Sequence, residues 1–197
     1  MCGIAGFFGK NKYLPTNQNF KKCLDIMHNR GPDAKGQISK NFKNQSLVFL
    51  HSRLSIIDLT KDSNQPFEDE NGILTFNGEI YNFIELRKFC LKKKIKFKTN
   101  SDTEVLLKIL NLYGEDAVKY LDGMWAFAYY SKKKNNLILS RDMFGEKPLY
   151  YTSDSKKTLF ASNLKYIETI LKSKFNLNLK KIEKFLKFGF KEFGNNN

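Results

Sequence analysis

The chain has 197 residues, 34 Lys and Arg against 20 Asp and Glu, and a formal net charge of +14. That length buries a substantial core and fits one domain, or one domain plus the start of a second. No apolar run approaches the roughly 18 residues of a transmembrane helix, and the start Met1-Cys2-Gly3-Ile4-Ala5-Gly6 lacks the charged segment and longer apolar core of a signal peptide, so a cytoplasmic protein with no membrane partner is expected.

The first element in chain order is a strand over residues 4–8, followed by a helical period at about 19–27. Residues 47–50 and 73–76 read as strands and 83–93 as a helix. At Ser101 the run Ser-Asp-Thr-Glu forms a capping box ahead of a helix through 105–112. Four more strands are expected at 125–130, 137–139, 149–151 and 158–161, then amphipathic helices near 164–171 and 179–188. Beyond Gly189 the periodicity fails, and residues 194–197 read as a frayed or truncated end. Strands close together in sequence imply antiparallel pairing. Their grouping apart from the helices favours an α+β fold, with helices covering layered antiparallel sheets, over a doubly wound parallel sheet.

Lysine supplies most of the positive charge, spread along the chain with only short runs such as Lys92-Lys93-Lys94 and Lys132-Lys133-Lys134. With no nucleic-acid motif beside them, these are solvated faces, and no nucleic-acid partner is expected. Cys2, Cys23 and Cys90 make an odd count without CxxC spacing, and His28 and His51 form no HExxH pair, which argues against a disulfide framework and a metal site. Cys23 and Cys90 lie among periodic apolar neighbours and are expected to be buried.

Cys2 is different. Removal of Met1 before so small a residue leaves Cys2 with a free α-amine of pKa about 7.7–8.0, close to the roughly 8.5 of a thiol, so the amine can take the thiol proton at little cost. Cys2 can equally be the second residue of a buried first strand, and the tetrapeptide alone does not separate the two readings.

The segments Met1-Cys2-Gly3-Ile4-Ala5-Gly6, Arg30-Gly31-Pro32-Asp33, His51-Ser52-Arg53-Leu54-Ser55-Ile56-Ile57-Asp58-Leu59 and Phe76-Asn77-Gly78-Glu79-Ile80-Tyr81-Asn82 stand in one order along the chain. They are followed by Ser101-Asp102-Thr103-Glu104, Gly123-Met124-Trp125-Ala126-Phe127-Ala128 and Arg141-Asp142-Met143-Phe144-Gly145-Glu146-Lys147-Pro148-Leu149-Tyr150-Tyr151. In this series the chain resembles the glutaminase domain of glutamine-dependent asparagine synthetases, a branch of the class II, N-terminal-nucleophile amidotransferases. The resemblance implies a four-layer αββα sandwich of two antiparallel sheets. It also implies hydrolysis of L-glutamine to glutamate and ammonia, with Cys2 as nucleophile.

By the same resemblance the Asn77 side-chain amide and the Gly78 backbone N–H would stabilise the oxyanion. Arg53 would take the glutamine α-carboxylate, Glu79 and Asp102 its α-ammonium, and the backbone around Leu54, Ser55, Ile56 and Ile57 would line the pocket. Each residue also has a plainer reading. Asn77-Gly78 is a strong turn dipeptide, Arg53 a surface charge on a strand, Glu79 an acid near a helix start, and Asp102 part of the capping box. Residues 30–33 are expected near the pocket mouth, as a lid or a generic turn. Arg141-Asp142 reads as an ion pair, Lys147-Pro148 as a strand-opening turn, and Trp125, Phe127 and Tyr129 as core strand.

Relatives of full length continue into an ATP-dependent synthetase domain through a Ser-Gly-Gly-x-Asp-Ser loop, and neither that motif nor GxxxxGK[ST] occurs in the sequence. The expected division is therefore a glutaminase domain at 1–175 and the start of a linker at 176–197. No cofactor is expected in this chain, and ATP and magnesium belong only to the absent synthetase domain. The chain reads as a fragment, or as a free-standing glutaminase delivering ammonia to a partner chain for asparagine or related amide synthesis. A silent domain acting as an interaction module is the alternative, and a homodimer is a further expectation from the resemblance.

Overall fold

The computed structural model describes residues 1–189; the frayed end expected at 194–197 lies outside them. Nine strands form two antiparallel sheets. The first sheet holds β1 (Gly3–Lys10), β2 (Ala34–Asn41), β3 (Gln45–Arg53), β8 (Tyr150–Ser153) and β9 (Lys157–Ala161), in the order β2-β3-β1-β9-β8. The second holds β4 (Phe67–Glu68), β5 (Gly72–Ile80), β6 (Gly123–Ser131) and β7 (Asn136–Arg141), in chain order.

Strand alternation divides the core into three apolar layers. Ile4, Leu47, Phe49 and Phe160 from the first sheet meet Ile73, Ala126, Ala128 and Tyr130 from the second, so one layer lies between the sheets. Their neighbours Ala5, Phe7, Val48, Leu50, Leu159 and Ala161 point the other way, onto α1 (Asn17–Met27) and α4 (Leu164–Leu171). On the far side, Leu74, Phe76, Ile80, Trp125, Phe127 and Tyr129 pack on α2 (Phe83–Lys92) and α3 (Asp102–Tyr113). The order helix, sheet, sheet, helix is the four-layer sandwich that the resemblance implies, with Trp125, Phe127 and Tyr129 in the core as expected.

The helices follow their spacing. α1 buries Asn19, Phe20, Cys23 and Met27 on one face, and α4 buries Tyr166, Ile167 and Ile170 after an Asn163 cap that accepts the Lys165 N–H at 2.9 Å. α5 (Leu179–Phe188) forms where expected but buries no residue. Cys23 and Cys90 are free and buried, and burial pushes the Cys23 thiol up to about 12.

Two strands escape the sequence reading. β2 carries one large apolar residue, Ile38, in a polar run that suits a sheet edge, and β4 is two residues long. The capping box at Ser101 is half formed. Ser101 Oγ accepts the Glu104 N–H at 3.2 Å, but the Glu104 carboxylate turns away to take the N–H groups of Lys98 and Thr99. Arg141 and Asp142 do not pair either. Asp142 instead accepts the backbone N–H groups of Trp125, Glu146 and Lys147 at 2.9–3.2 Å, because the turn after β7 brings the last two donors onto a carboxylate that already faces β6 at Trp125.

Candidate active site

The layer between the sheets opens at one end into a cavity of about 150 Å³. Alternation decides which residues reach it. Cys2 shares a face with Ile4, Arg53 with His51 and Phe49, and Asn77 with Thr75 and Ile73, so the first residues of β1, the end of β3 and the middle of β5 converge there. Cys2, Arg53, Leu54, Ile56, Ile57, Asn77, Gly78, Glu79 and Asp102 all line the cavity. Ser55 does not; its backbone N–H is taken by Asp33 Oδ2 at 2.7 Å.

Cys2 Sγ lies 3.4 Å from the Leu54 backbone N and 3.5 Å from its carbonyl oxygen. Burial pushes the thiol up, while the Leu54 N–H, the chain's amino terminus and Arg53 pull it down and Asp102 adds to the push. Met1 also lines the cavity, so losing it frees the Cys2 amine and enlarges the space in front of the sulfur.

Asn77 and Gly78 are not a turn. β5 runs through them to Ile80, pairing Asn77 with Ala126 and Gly78 with Trp125. Asn77 is 2% exposed, and its Nδ2 has no hydrogen-bond partner. A buried amide donor left bare in a cavity is costly unless a ligand completes it. Gly78 is required by close approach, since a Cβ there would sit 2.1 Å from the Met124 carbonyl oxygen of the facing strand.

Arg53 is buried at the end of β3, not a surface charge. Its guanidinium donates to the Thr60 carbonyl at 2.9 Å, to Asn64 Oδ1 at 2.8 Å, to the Ile57 carbonyl at 3.4 Å and to the Asp58 carbonyl, gathering the 57–64 loop around one cation. Glu79 sits near the end of β5, ahead of α2 and not within it. The α3 cap belongs to Ser101, which leaves the Asp102 carboxylate free to accept the Ile80 N–H at 3.1 Å. Burial pushes Asp102 up to about 6; the Ile80 and Thr103 N–H groups oppose this and the Glu79 charge reinforces it.

The 30–33 segment is fastened to the residues around the cavity. Arg30 Nε donates to the Cys2 carbonyl at 3.0 Å, Asp33 N–H to the Arg53 carbonyl at 3.0 Å, and Gly31 packs so closely on Ser52 that a Cβ would meet its carbonyl oxygen at 2.4 Å. Ser63, Gln65, Thr103 and Lys147 also line the cavity, although the sequence reading assigned none of them to it. Gln65 and Ser63 fall outside every apolar period, so only the folded chain brings them in. Among the described residues no group of three or more His, Cys, Asp or Glu side chains gathers as a metal site would require, and no helix is long and apolar enough to cross a membrane.

The model of a family described as "Glutamine amidotransferase domain" matches residues 1–196. The chain belongs to that family. The amidotransferase domain is 42% identical over 170 residues to asparagine synthetase [glutamine-hydrolyzing] 1 of Bacillus subtilis, covering 84% of this chain and 26% of that protein. It is 37% identical over 177 residues to amidase chry2 of Gibberella zeae, covering 84% and 26%. The chain thus spans about a quarter of the length of each. Among solved structures, the glutamine phosphoribosylpyrophosphate amidotransferase of B. subtilis superposes with a TM-score of 0.69 at 18% identity, covering 86% of this chain and 43% of that one. That likeness shows that the domain shares the fold of that amidotransferase.

Proposed function

We propose that this domain hydrolyses the side-chain amide of L-glutamine, with Cys2 as nucleophile once Met1 is removed. The observation that carries the reading is the bare Asn77 Nδ2, buried in the same cavity as Cys2 Sγ. The Cys2 amine takes the thiol proton as sulfur attacks the carboxamide carbon. Charge then builds on the carbonyl oxygen, where Asn77 Nδ2 and the Gly78 N–H donate without having to reorganise. The amine returns the proton to the leaving nitrogen and ammonia departs. Water cleaves the γ-glutamyl thioester to glutamate and restores the thiol.

Arg53 holds the substrate carboxylate in this scheme, and Glu79 with Asp102 holds its ammonium. The ammonia passes to an ATP-dependent synthetase, with aspartate as the default acceptor given the name of the B. subtilis relative. A relative named as an amidase leaves room for another acceptor. The test is release of glutamate and ammonia from glutamine by the purified chain, with intact mass confirming loss of Met1. Turnover blocked by a thiol-directed glutamine analogue on Cys2 supports the reading, and no turnover by the Met1-free chain rejects it for this chain acting alone.

A further inference from the structure

Nucleophile and oxyanion donor come from different sheets: Cys2 leads into β1 of the first, and Asn77 sits on β5 of the second. Their separation therefore depends on whatever ties the sheets together at the cavity. β4 pairs with β5 only at Phe67–Leu74 and Glu68–Ile73, so the ladder has stopped before Phe76. Two side chains take its place. Gln65 Oε1 accepts the Phe76 N–H at 2.7 Å, and His51, from β3 of the opposite sheet, contacts the Phe76 carbonyl through Nε2 at 3.1 Å. Gln65 is itself tied to Thr103 Oγ1, beside Asp102, at 3.3 Å.

The His51 contact fixes its proton. A carbonyl oxygen only accepts, so Nε2 carries the hydrogen and Nδ1 faces the interior as a lone-pair acceptor. His51 is fully buried, which pushes its pKa down to about 3 and keeps the ring neutral, and Nδ1 has no partner. Leucine would fill similar space and remove the bare Nδ1, but it would leave the Phe76 carbonyl without its donor. What the imidazole supplies is one donor, aimed at the peptide that joins Phe76 to Asn77.

We propose that His51 and Gln65 are positioning residues that hold the Phe76 backbone from its two polar ends and thereby aim the Asn77 amide at the cavity beside Cys2. The proposal rests on the glutaminase reading for its catalytic consequence, and on geometry for the rest. Neither residue touches the reacting atoms; His51 ties the sheet carrying the nucleophile to the sheet carrying the oxyanion donor, and Gln65 closes the edge of the second.

The experiment compares His51→Leu, which removes the donor, with His51→Gln, whose Nε2 can reach the same carbonyl, and with Gln65→Met, all as the full chain without Met1. Misplacing an oxyanion donor by about 1 Å costs on the order of 10–100-fold in rate. His51→Leu is expected to lower kcat by that factor with KM for glutamine and the rate of Cys2 alkylation by iodoacetamide within about twofold, and His51→Gln to recover most of the loss. A kcat for His51→Leu within twofold of wild type overturns the proposal, as does a parallel fall in Cys2 alkylation, which would mark a collapsed site. If His51→Leu does not fold, Gln65→Met carries the same comparison.

A second readout needs no turnover. In protein labelled with nitrogen-15 at asparagine, the Asn77 side-chain signal, assigned by its loss in Asn77→Asp, should move in His51→Leu and stay in His51→Gln. An unmoved signal in His51→Leu overturns the proposal even if wild type proves inactive on glutamine, whereas inactivity with a moved signal rejects only the glutaminase reading.

Discussion

The Asp102 carboxylate accepts the backbone N–H of Ile80 at 3.1 Å, and this single bond sets the first residue of α3 against the end of β5. It also brings Asp102 beside Glu79, so two acids share one cavity and burial holds Asp102 at about 6. A ligand ammonium placed there favours the ionised acid. KM for glutamine should therefore rise by up to about tenfold per pH unit below pH 6, with proton release on binding that approaches one as pH falls below that value. Pre-steady-state binding or KM measured from pH 5 to 8 checks the profile, and a KM flat across pH 6 would remove Asp102 from the ammonium site.

The same shift carries a stability cost of known sign. The folded state holds the Asp102 proton more tightly than the unfolded chain, whose aspartates titrate near 3.9. Its favourable contribution is therefore complete below about pH 4 and is lost as pH rises through 6. At pH 7 Asp102→Asn should stabilise the domain by up to about 3 kcal/mol while raising KM for glutamine, a trade of stability for function. Urea unfolding at pH 7 and pH 4 tests this; an equal gain at both would mean the charge is not its source.

Arg53 serves the 57–64 loop as well as the cavity, so Arg53→Ala should do two separable things. Losing a charged partner for the substrate carboxylate should raise KM by about 10–100-fold with a smaller change in kcat. Losing four loop contacts should speed tryptic cleavage at the exposed Lys61. Arg53→Lys keeps the charge without the planar fork and should recover less of the loop protection than of the KM.

The layers were legible in the sequence because strands with both faces covered carry continuous apolar runs, as at 125–130, where Trp125, Phe127 and Tyr129 face helices while Ala126, Ala128 and Tyr130 face the other sheet. β2 was not, because an edge strand satisfies water on one side with Lys35, Gln37 and Ser39. The hidden half of β5 has a different cause. Asn77, Gly78 and Glu79 break the apolar run, and residues chosen for a cavity do not advertise the strand that holds them. The cavity residues named by resemblance were found by type and order. His51 and Gln65 were not, since their contacts join segments that only the packed sheets bring together.

Gly78→Ala tests the strand assignment. If Asn77-Gly78 were a turn, a methyl group there would be accommodated at modest cost. In β5 it meets the Met124 carbonyl oxygen at 2.1 Å, so β5 and β6 must part. The variant should lose about 1–3 kcal/mol in urea unfolding and most of its turnover, because in the proposed mechanism the displaced peptide carries an oxyanion donor.

Cys2→Ala separates chemistry from folding. Cys2 is only half-buried at the edge of the core, and removing one sulfur leaves the three apolar layers intact. Stability should change by no more than about 0.5 kcal/mol, or roughly 1–2 °C in Tm for a domain of this size. Glutamine hydrolysis should vanish, because none of the hydroxyls lining the cavity belongs to a residue whose own α-amine is free to accept its proton. Of the hydroxyls lining the cavity, Ser101 is engaged by Thr99 and the Glu104 N–H and Thr103 by Gln65, which leaves Ser63 Oγ as the competitor to test, and Ser63→Ala in the same assay shows which group attacks. Turnover that survives Cys2→Ala and fails in Ser63→Ala would move the chemistry to the hydroxyl, whereas loss in Cys2→Ala with near-normal kcat in Ser63→Ala keeps it on sulfur.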